Sequence, residues 1–475
     1  MGTPDILGTY GTFSYYTDNP PDNADSFSGG NSYTVWVEGN EVRAELVGPA
    51  NIFLNEKRPP DSTAPFTVYI DPERNAAKIE IGDEEVLLNV GDWSRWVEVK
   101  FHMAPTVDTW GIVRFYLKEV RPDFKLYVTP ININPLKPAM PISTPDDYAV
   151  KIAENVGMYY TQGMPQDTKA LQYGVLSDGE YAQQINLILE ERKKIFDYEF
   201  GRWNEGLLFF YFCTLDLNQH TWWRAWDKES PMWTNELDVE YGDFIEKLYI
   251  EFDGVLGKVL DKLGPEDTLI VMSDHGFAPY RRQFHLNTWL LDNGYIKLED
   301  SASQATVEYL EGVDWTSTRA YSLGINALYI NLVGREANGI VTPEEAEGLV
   351  KEISRKLEEV VDPQNGKHPI RKAYISKEEF TGSYMNIAPD IIVGFDRGYR
   401  ASDDSALGSF PFEHFADNKD TWSGDHCIDP YVVPGILFCN KKINSDLPRL
   451  YDLTINILKE YGIEAPADMI GTAVW

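Results

Sequence analysis

Three short stretches hold the residues best suited to binding a metal and activating an oxygen. The first is Leu215-Asp216-Leu217-Asn218-Gln219-His220, the second Ser273-Asp274-His275-Gly276-Phe277, and the third Trp422-Ser423-Gly424-Asp425-His426. If a strand at 207–214 runs into a helix, Asp216 and His220 lie one turn apart on one face. Adjacent Asp274 and His275 can address different ions only where the backbone turns, and Gly276 supplies that freedom. An Asp-x-x-x-His spacing alone is ordinarily a solvated helix face, and Asp-His alone is weaker still. Yet the chain has only seven histidines, and His220, His275 and His426 all fall beside a carboxylate near a predicted strand terminus. Carboxylate oxygens combined with imidazole nitrogens suit zinc or a similar first-row ion.

The surrounding pattern provides elements to position such groups. From about residue 141, helical stretches at 179–197, 236–263, 343–361 and 446–461 alternate with short apolar runs at 207–214, 268–273, 327–332, 390–394 and 435–439. Runs without alternation suit strands covered on both faces, as in a parallel sheet between helix layers. In such α/β folds ligands gather at the carboxyl ends of strands. The helix at 343 opens Thr342-Pro343-Glu344-Glu345, an N-cap followed by Pro at the first helical position. Between about 31 and 130 the period is close to two, as in Phe66-Thr67-Val68-Tyr69-Ile70 and Trp96-Val97-Glu98-Val99-Lys100-Phe101, which predicts an antiparallel sandwich or barrel. Residues 1–29 read as irregular chain pinned by Tyr10, Phe13, Tyr15 and Tyr16. The expected division is an irregular core-associated segment at 1–29, a β-rich accessory domain at 30–135 and an α/β core at 136–475.

Composition narrows the classes. The 475 residues carry a formal net charge of −33, which excludes non-specific nucleic-acid binding through the general surface and disfavours an anionic membrane. No run approaches the roughly 18–20 apolar residues of a membrane span. Three cysteines exclude a disulfide framework. No signal peptide is visible after Met1, so the chain as given reads as soluble and cytoplasmic.

With these motifs in place, the chain resembles the alkaline phosphatase superfamily. The nearest resemblance is to its type I phosphodiesterase/nucleotide pyrophosphatase branch and, within that, the predicted phosphohydrolase/phosphomutase group. The resemblance is carried by Met272-Ser273-Asp274-His275-Gly276-Phe277, Asp216 with His220, Gly424-Asp425-His426 ahead of Pro434-Gly435-Ile436-Leu437-Phe438, and Leu286-Asn287-Thr288-Trp289-Leu290 with Gly294-Tyr295. It implies an alkaline-phosphatase-like α/β/α sandwich and two divalent ions, zinc or alternatively manganese. Asp216, His220 and His426 would hold one ion, and Asp274 and His275 the other. It also implies a small phosphate ester as substrate. Paired ions of this kind clamp the attacking and leaving oxygens of an in-line displacement, and Asp425 is a candidate to orient a ligand.

The sequence departs from the family in one respect. Members open their core with an apolar strand ending in Asp, followed by a Thr or Ser nucleophile at a helix start. Neither is found here, and Thr9, Thr12 and Thr17 lack the required strand. The opening Gly2-Thr3-Pro4-Asp5-Ile6-Leu7-Gly8-Thr9 itself looks like internal sequence of that group. The expectation is therefore a core lacking its N-terminal part, binding one ion well and the second poorly, with little turnover alone. A signal peptide would lie in the missing part. The alternative function is a catalytically incomplete metal-binding or interaction module.

Several residues carry weaker signals. Thr168, within Tyr159-Tyr160-Thr161-Gln162-Gly163-Met164-Pro165-Gln166-Asp167-Thr168, is a candidate at the rim of the site, although a helix cap explains it slightly better. Asn287 and His285 follow the Asp274-His275 loop and are candidates for substrate contact, with structural hydrogen bonding favoured. Arg319 is suited to pair with a phosphate, or equally to form a surface ion pair. Cys213 and Cys427 flank ligand positions but read as small buried residues. His102, His368 and His414 show no partner pattern. Trp36, Trp93 and Trp96 read as core residues of the β-rich region.

Overall fold

Alternation governs the first half of the chain. In the computed structural model, which describes residues 11–475 apart from 25, 26, 28 and 55, the strand Asp61–Asp71 buries Ala64, Phe66, Val68 and Ile70 and exposes most residues between them. It lies third in an antiparallel sheet ordered Val37–Glu38, Glu41–Ala50, Asp61–Asp71, Ala76–Ile81 and Glu84–Asn89. The last two strands pair Ile81 with Glu84. That register leaves a two-residue turn in which Gly82 takes φ +56°, as a tight hairpin requires. Two smaller sheets add Phe115–Glu119, Lys125–Val128, Phe13–Thr17 and Gly30–Thr34 in one, and Asn132–Ile133, Val107–Val113 and Val97–Ala104 in the other. Their inward residues form one apolar core with Val42, Leu46, Phe66, Val68, Ile79, Val99, Phe101 and Phe115.

Two features differ from the sequence reading. Phe13–Thr17, expected to be irregular, is a fully buried strand, parallel to Gly30–Thr34 and antiparallel to Lys125–Val128. Its aromatics bury on both faces: Tyr16 meets Phe66 edge-on at 5.0 Å and Phe13 lies 6.0 Å from Tyr127. A strand covered on both sides has no alternation to read. Trp36, expected in the core, is 79% exposed, whereas Trp96 is buried. Thr9 lies outside the described residues.

The chain packs as two units, 1–217 and 218–475. The first also contains the helices Tyr148–Val156, Thr168–Gln172 and Asp178–Arg202, the last opened by a reciprocal Ser177–Glu180 capping box. The apolar run at 207–214 is not a strand. Residues 207–213 form no strand and Thr214 begins a helix, while Leu207, Phe209 and Tyr211 are exposed.

In the second unit, Ala320–Ser322, Ala327–Ile330, Ile391–Phe395 and Ile370–Ile375 form an antiparallel sheet in that order. The helix Pro343–Glu358 joins the same core through Ala346, Leu349, Val350, Ile353 and Leu357. Its Thr342–Glu345 capping box and first-position proline are as the sequence predicts. The expected helix at 236–263 is two, Asn235–Tyr241 and Phe244–Lys262, separated at Gly242. Ala278–Phe284 runs parallel to Gly398–Ala401 and antiparallel to Phe415–Asp417 and Gly424–Asp425. Ile270–Met272 and Leu437–Cys439 make a two-stranded antiparallel sheet. Among the described residues of this unit, parallel pairing of named strands is therefore confined to one pair, although solid apolar runs predict more of it. The fold class itself, mixed α/β with a β-rich region, is the one expected.

Candidate metal centre

The helix Thr214–Trp226 carries both Asp216 and His220, and backbone contacts fix the third stretch against it. Ser423 N–H donates to His220 O at 2.6 Å, and Ser423 Oγ accepts Arg224 N–H at 2.9 Å. Ser423 thus enters the helix's hydrogen-bond ladder from the side. Gly424 allows the approach, because a Cβ there would lie 2.5 Å from Gln219 O. His426 follows two residues later. The result is that Asp216, His220 and His426 bring one ligand atom each within 4.8 Å of one another.

The second motif is set by another close backbone contact. Gly276 N–H donates to Val433 O at 2.8 Å, and Ser273 N–H to Ile436 O at 3.1 Å. A Cβ on Gly276 would meet Pro434 O at 2.6 Å. The glycine is required there by proximity, and not by the backbone freedom expected from sequence, since Gly276 is not among the positive-φ glycines. His275 stacks on His426, with centroids 3.5 Å apart and planes 11° apart. Asp274 Oδ1 lies 3.6 Å from His275 Nε2. Among the described residues, Asp274 and His275 join no three-ligand group of the kind formed by Asp216, His220 and His426.

Tautomers follow from the hydrogen bonds. His220 Nδ1 lies 2.7 Å from Gly424 O, and His275 Nδ1 lies 3.0 Å from Gly276 O. A carbonyl only accepts, so each Nδ1 carries the proton and Nε2 becomes the ligand nitrogen. Burial pushes the His220 imidazole down to about 3 and His426 to about 4, against the opposing pull of Asp425. Both rings are therefore neutral at pH 7, the state a metal requires. Burial also opposes ionisation of Asp425, yet the Arg400 guanidinium and the Cys427 N–H hold its carboxyl well below the usual range. One carboxylate and two neutral imidazoles form a donor set that fits a divalent ion.

A second group of ligand atoms, Asp425, His426 and Cys427, also converges. Asp425 is already engaged there: Oδ1 accepts the N–H groups of His426 and Cys427, and Oδ2 accepts Trp422 Nε1–H. It supports the cluster from behind. Two aromatics that carried no role in the sequence reading close the site. Trp422 stacks on His220 at 3.6 Å, and Phe277 meets the same ring edge-on at 4.7 Å. Their adjacency to the Asp-His and Gly-Asp-His motifs was the one available signal.

The remaining candidates fall elsewhere. Asn287 is fully buried, donating to Ser322 O and Ser405 O and accepting Ser322 N–H. His285 is buried against Ser402 Oγ at 2.7 Å. Arg319 is exposed, close enough to lower the carboxyls of Glu345 and Glu352. Thr168 is the buried first residue of its helix, capped by Asp167. The described cysteines are free thiols, and only Cys213 is fully buried.

A mixed α/β chain that gathers a carboxylate and two imidazoles at the junction of a helix and a strand has a donor set that could hold a metal ion. Comparison with family models makes the assignment particular. Residues 107–426 match the type I phosphodiesterase/nucleotide pyrophosphatase family, a span that includes all five proposed ligands and ends on His426. The chain belongs to this family, within the alkaline phosphatase superfamily branch, and the membership implies hydrolysis of phosphate esters of the phosphodiesterase or pyrophosphatase type. No curated protein and no solved structure matches it. No helix among the described residues is long and apolar enough to cross a membrane.

Proposed function

We propose that the chain is a metal-dependent hydrolase of small phosphate esters in which Asp216, His220 and His426 hold one divalent ion and Asp274 and His275 contribute to a second. The observation that carries the reading is the convergence of three ligand atoms from positions some 200 residues apart within 4.8 Å. Zinc or manganese there would lower the pKa of a bound hydroxyl and offset charge on phosphoryl oxygens. The chain's own contribution is to keep His220 and His426 neutral and to hold the proton of His220 and of His275 on Nδ1, which leaves Nε2 for an ion. Trp422 and Phe277 restrict water around His220. A Thr or Ser hydroxyl is the nucleophile expected by resemblance, and none of the residues above is given that role.

The test is hydrolysis of bis(p-nitrophenyl) phosphate and p-nitrophenyl phosphate by the metal-stripped chain, with and without added zinc or manganese. Metal-dependent turnover lost in His220→Ala supports the proposal. A second reading, a metal-binding module with little turnover, is favoured by one observation: Asp274 and His275 join no three-ligand group among the described residues. Tight binding of one ion without turnover would select it.

A further inference from the structure

We propose that Asp425 is a positioning residue for the ligands His220 and His426, an inference that rests on the metal-centre reading above. Its side chain is 2% exposed, and its two oxygens do different work. Oδ1 accepts the backbone N–H groups of His426 and Cys427, both at 2.7 Å, which fixes the backbone that carries His426. Oδ2 accepts Trp422 Nε1–H at 2.8 Å. That indole covers His220 at 3.6 Å with 22° between planes. Stacking therefore fixes the plane of the His220 ring, and the bond from Nδ1 to Gly424 O fixes its rotation.

Arg400 completes the arrangement from the adjoining strand Gly398–Ala401. Its Nε lies 2.9 Å from Asp425 Oδ2 as an ion pair and not as a directed hydrogen bond, and its guanidinium also reaches Asp403 at 2.9 Å and the Tyr280 ring at 5.0 Å. A buried carboxylate is costly unless paired and hydrogen-bonded, and these four contacts satisfy Asp425 without a metal. Turning Oδ1 outward to act as a ligand would break its bonds to the part-buried N–H groups of His426 and Cys427. The carboxylate thus acts through His220 and His426.

The test titrates zinc chloride calorimetrically into the metal-stripped full chain carrying Asp425→Asn, Trp422→Phe or His220→Ala. In parallel, the tautomers of 15N-labelled histidines are read by NMR without metal. Asparagine keeps an oxygen for the two N–H groups but turns a donor toward Trp422 and Arg400. The expected result is zinc affinity lowered about 10- to 100-fold and a His220 ring no longer confined to its Nδ1–H form. Trp422→Phe keeps a ring face but loses the N–H, so a smaller loss of roughly 5-fold is expected. If Asp425→Asn does not fold, Trp422→Phe decides on the same two readouts. Lower melting temperatures with affinity and tautomer unchanged would overturn the positioning role. His220→Ala separates the two levels: unchanged zinc binding there refutes the metal centre itself. Loss there, with parental affinity in the other two variants, refutes only the role of Asp425.

Discussion

The imidazoles of His275 and His426 lie face to face, 3.5 Å between centroids and 11° between planes. The stack suits a neutral His426 ring, whose pKa burial pushes down to about 4. It also sets the two proposed ligand sets side by side. Among the described residues the second proposed set joins no three-ligand group, so two bound ions should differ in affinity. His275→Ala should abolish weak binding of a second ion and, because its ring stacks directly on His426, also weaken the tight one by about 2-fold or more, since groups in contact couple. Metal analysis after gel filtration reads one ion per chain in both parent and variant.

His220→Ala or His426→Ala removes one of the three ligands proposed for the tight site. Affinity should fall by more than the ~100-fold typical of a supporting residue, and any metal-dependent hydrolysis should fall with it. Chelation of the parent followed by re-addition of zinc should reproduce the loss and its recovery.

Acid should weaken the metal-free protein through the same histidines. Their folded pKa values, about 3 for His220 and about 4 for His426, lie below an unfolded value near 6.5. The unfolded chain therefore binds more protons across that window. Stability is fully present above pH 6.5 and is lost progressively as pH falls toward 4. Asp167, pushed up by burial to about 6, contributes in the opposite sense, so the readout is a difference between variants. The melting temperature of His426→Gln should fall less between pH 7 and pH 4.5 than that of the parent.

Two glycines should respond oppositely to alanine. Gly424→Ala forces a Cβ to 2.5 Å from a backbone oxygen of the ligand-bearing helix, which should cost about 1–3 kcal/mol and reduce bound zinc. Gly348→Ala, exposed within Pro343–Glu358 with open space around its Cβ, should stabilise by roughly 0.5–1 kcal/mol and leave metal content alone. Thermal melts and metal analysis of both variants check the pair.

Arg282 supports the second unit's interior. Its Nε and Nη2 reach the two oxygens of fully buried Asp362 at 2.6 and 3.1 Å. Arg282→Met leaves that carboxylate hydrogen-bonded by Tyr399, Gln364 and Asn365 but without its cationic partner and should destabilise the fold by about 3 kcal/mol, whereas Asp362→Asn in the same background should recover part of the loss. Urea unfolding of both variants reads the difference.

The candidate ligands could be picked out because each type stands next to a local signal: a four-residue spacing for Asp216 and His220, adjacency for Asp274 and His275, and a following apolar run for His426. The helix cap at Thr342 was legible for the same reason. What closes the site was not. Trp422 and Phe277 act through contacts with a histidine distant in sequence, and Gly276 is required by a carbonyl of Pro434 that no local pattern announces. The run at 207–214 misled because its apolar residues imitate a buried strand, although Leu207, Phe209 and Tyr211 are exposed. The strand Phe13–Thr17 was hidden by the reverse effect, since burial on both faces removes the period.

The small sheet of Ile270–Met272 and Leu437–Cys439 bears on handling the protein. Among the described residues it has two strands, and Phe438 on it is 63% exposed. Short apolar edges of this kind invite intermolecular pairing. A net charge of −33 opposes that through mutual repulsion between molecules. The repulsion weakens as salt shortens the Debye length to about 8 Å at physiological ionic strength, and it disappears near the pI of about 4.5. Mutual repulsion is therefore best kept in dilute solution, low in salt and at a pH well above 4.5.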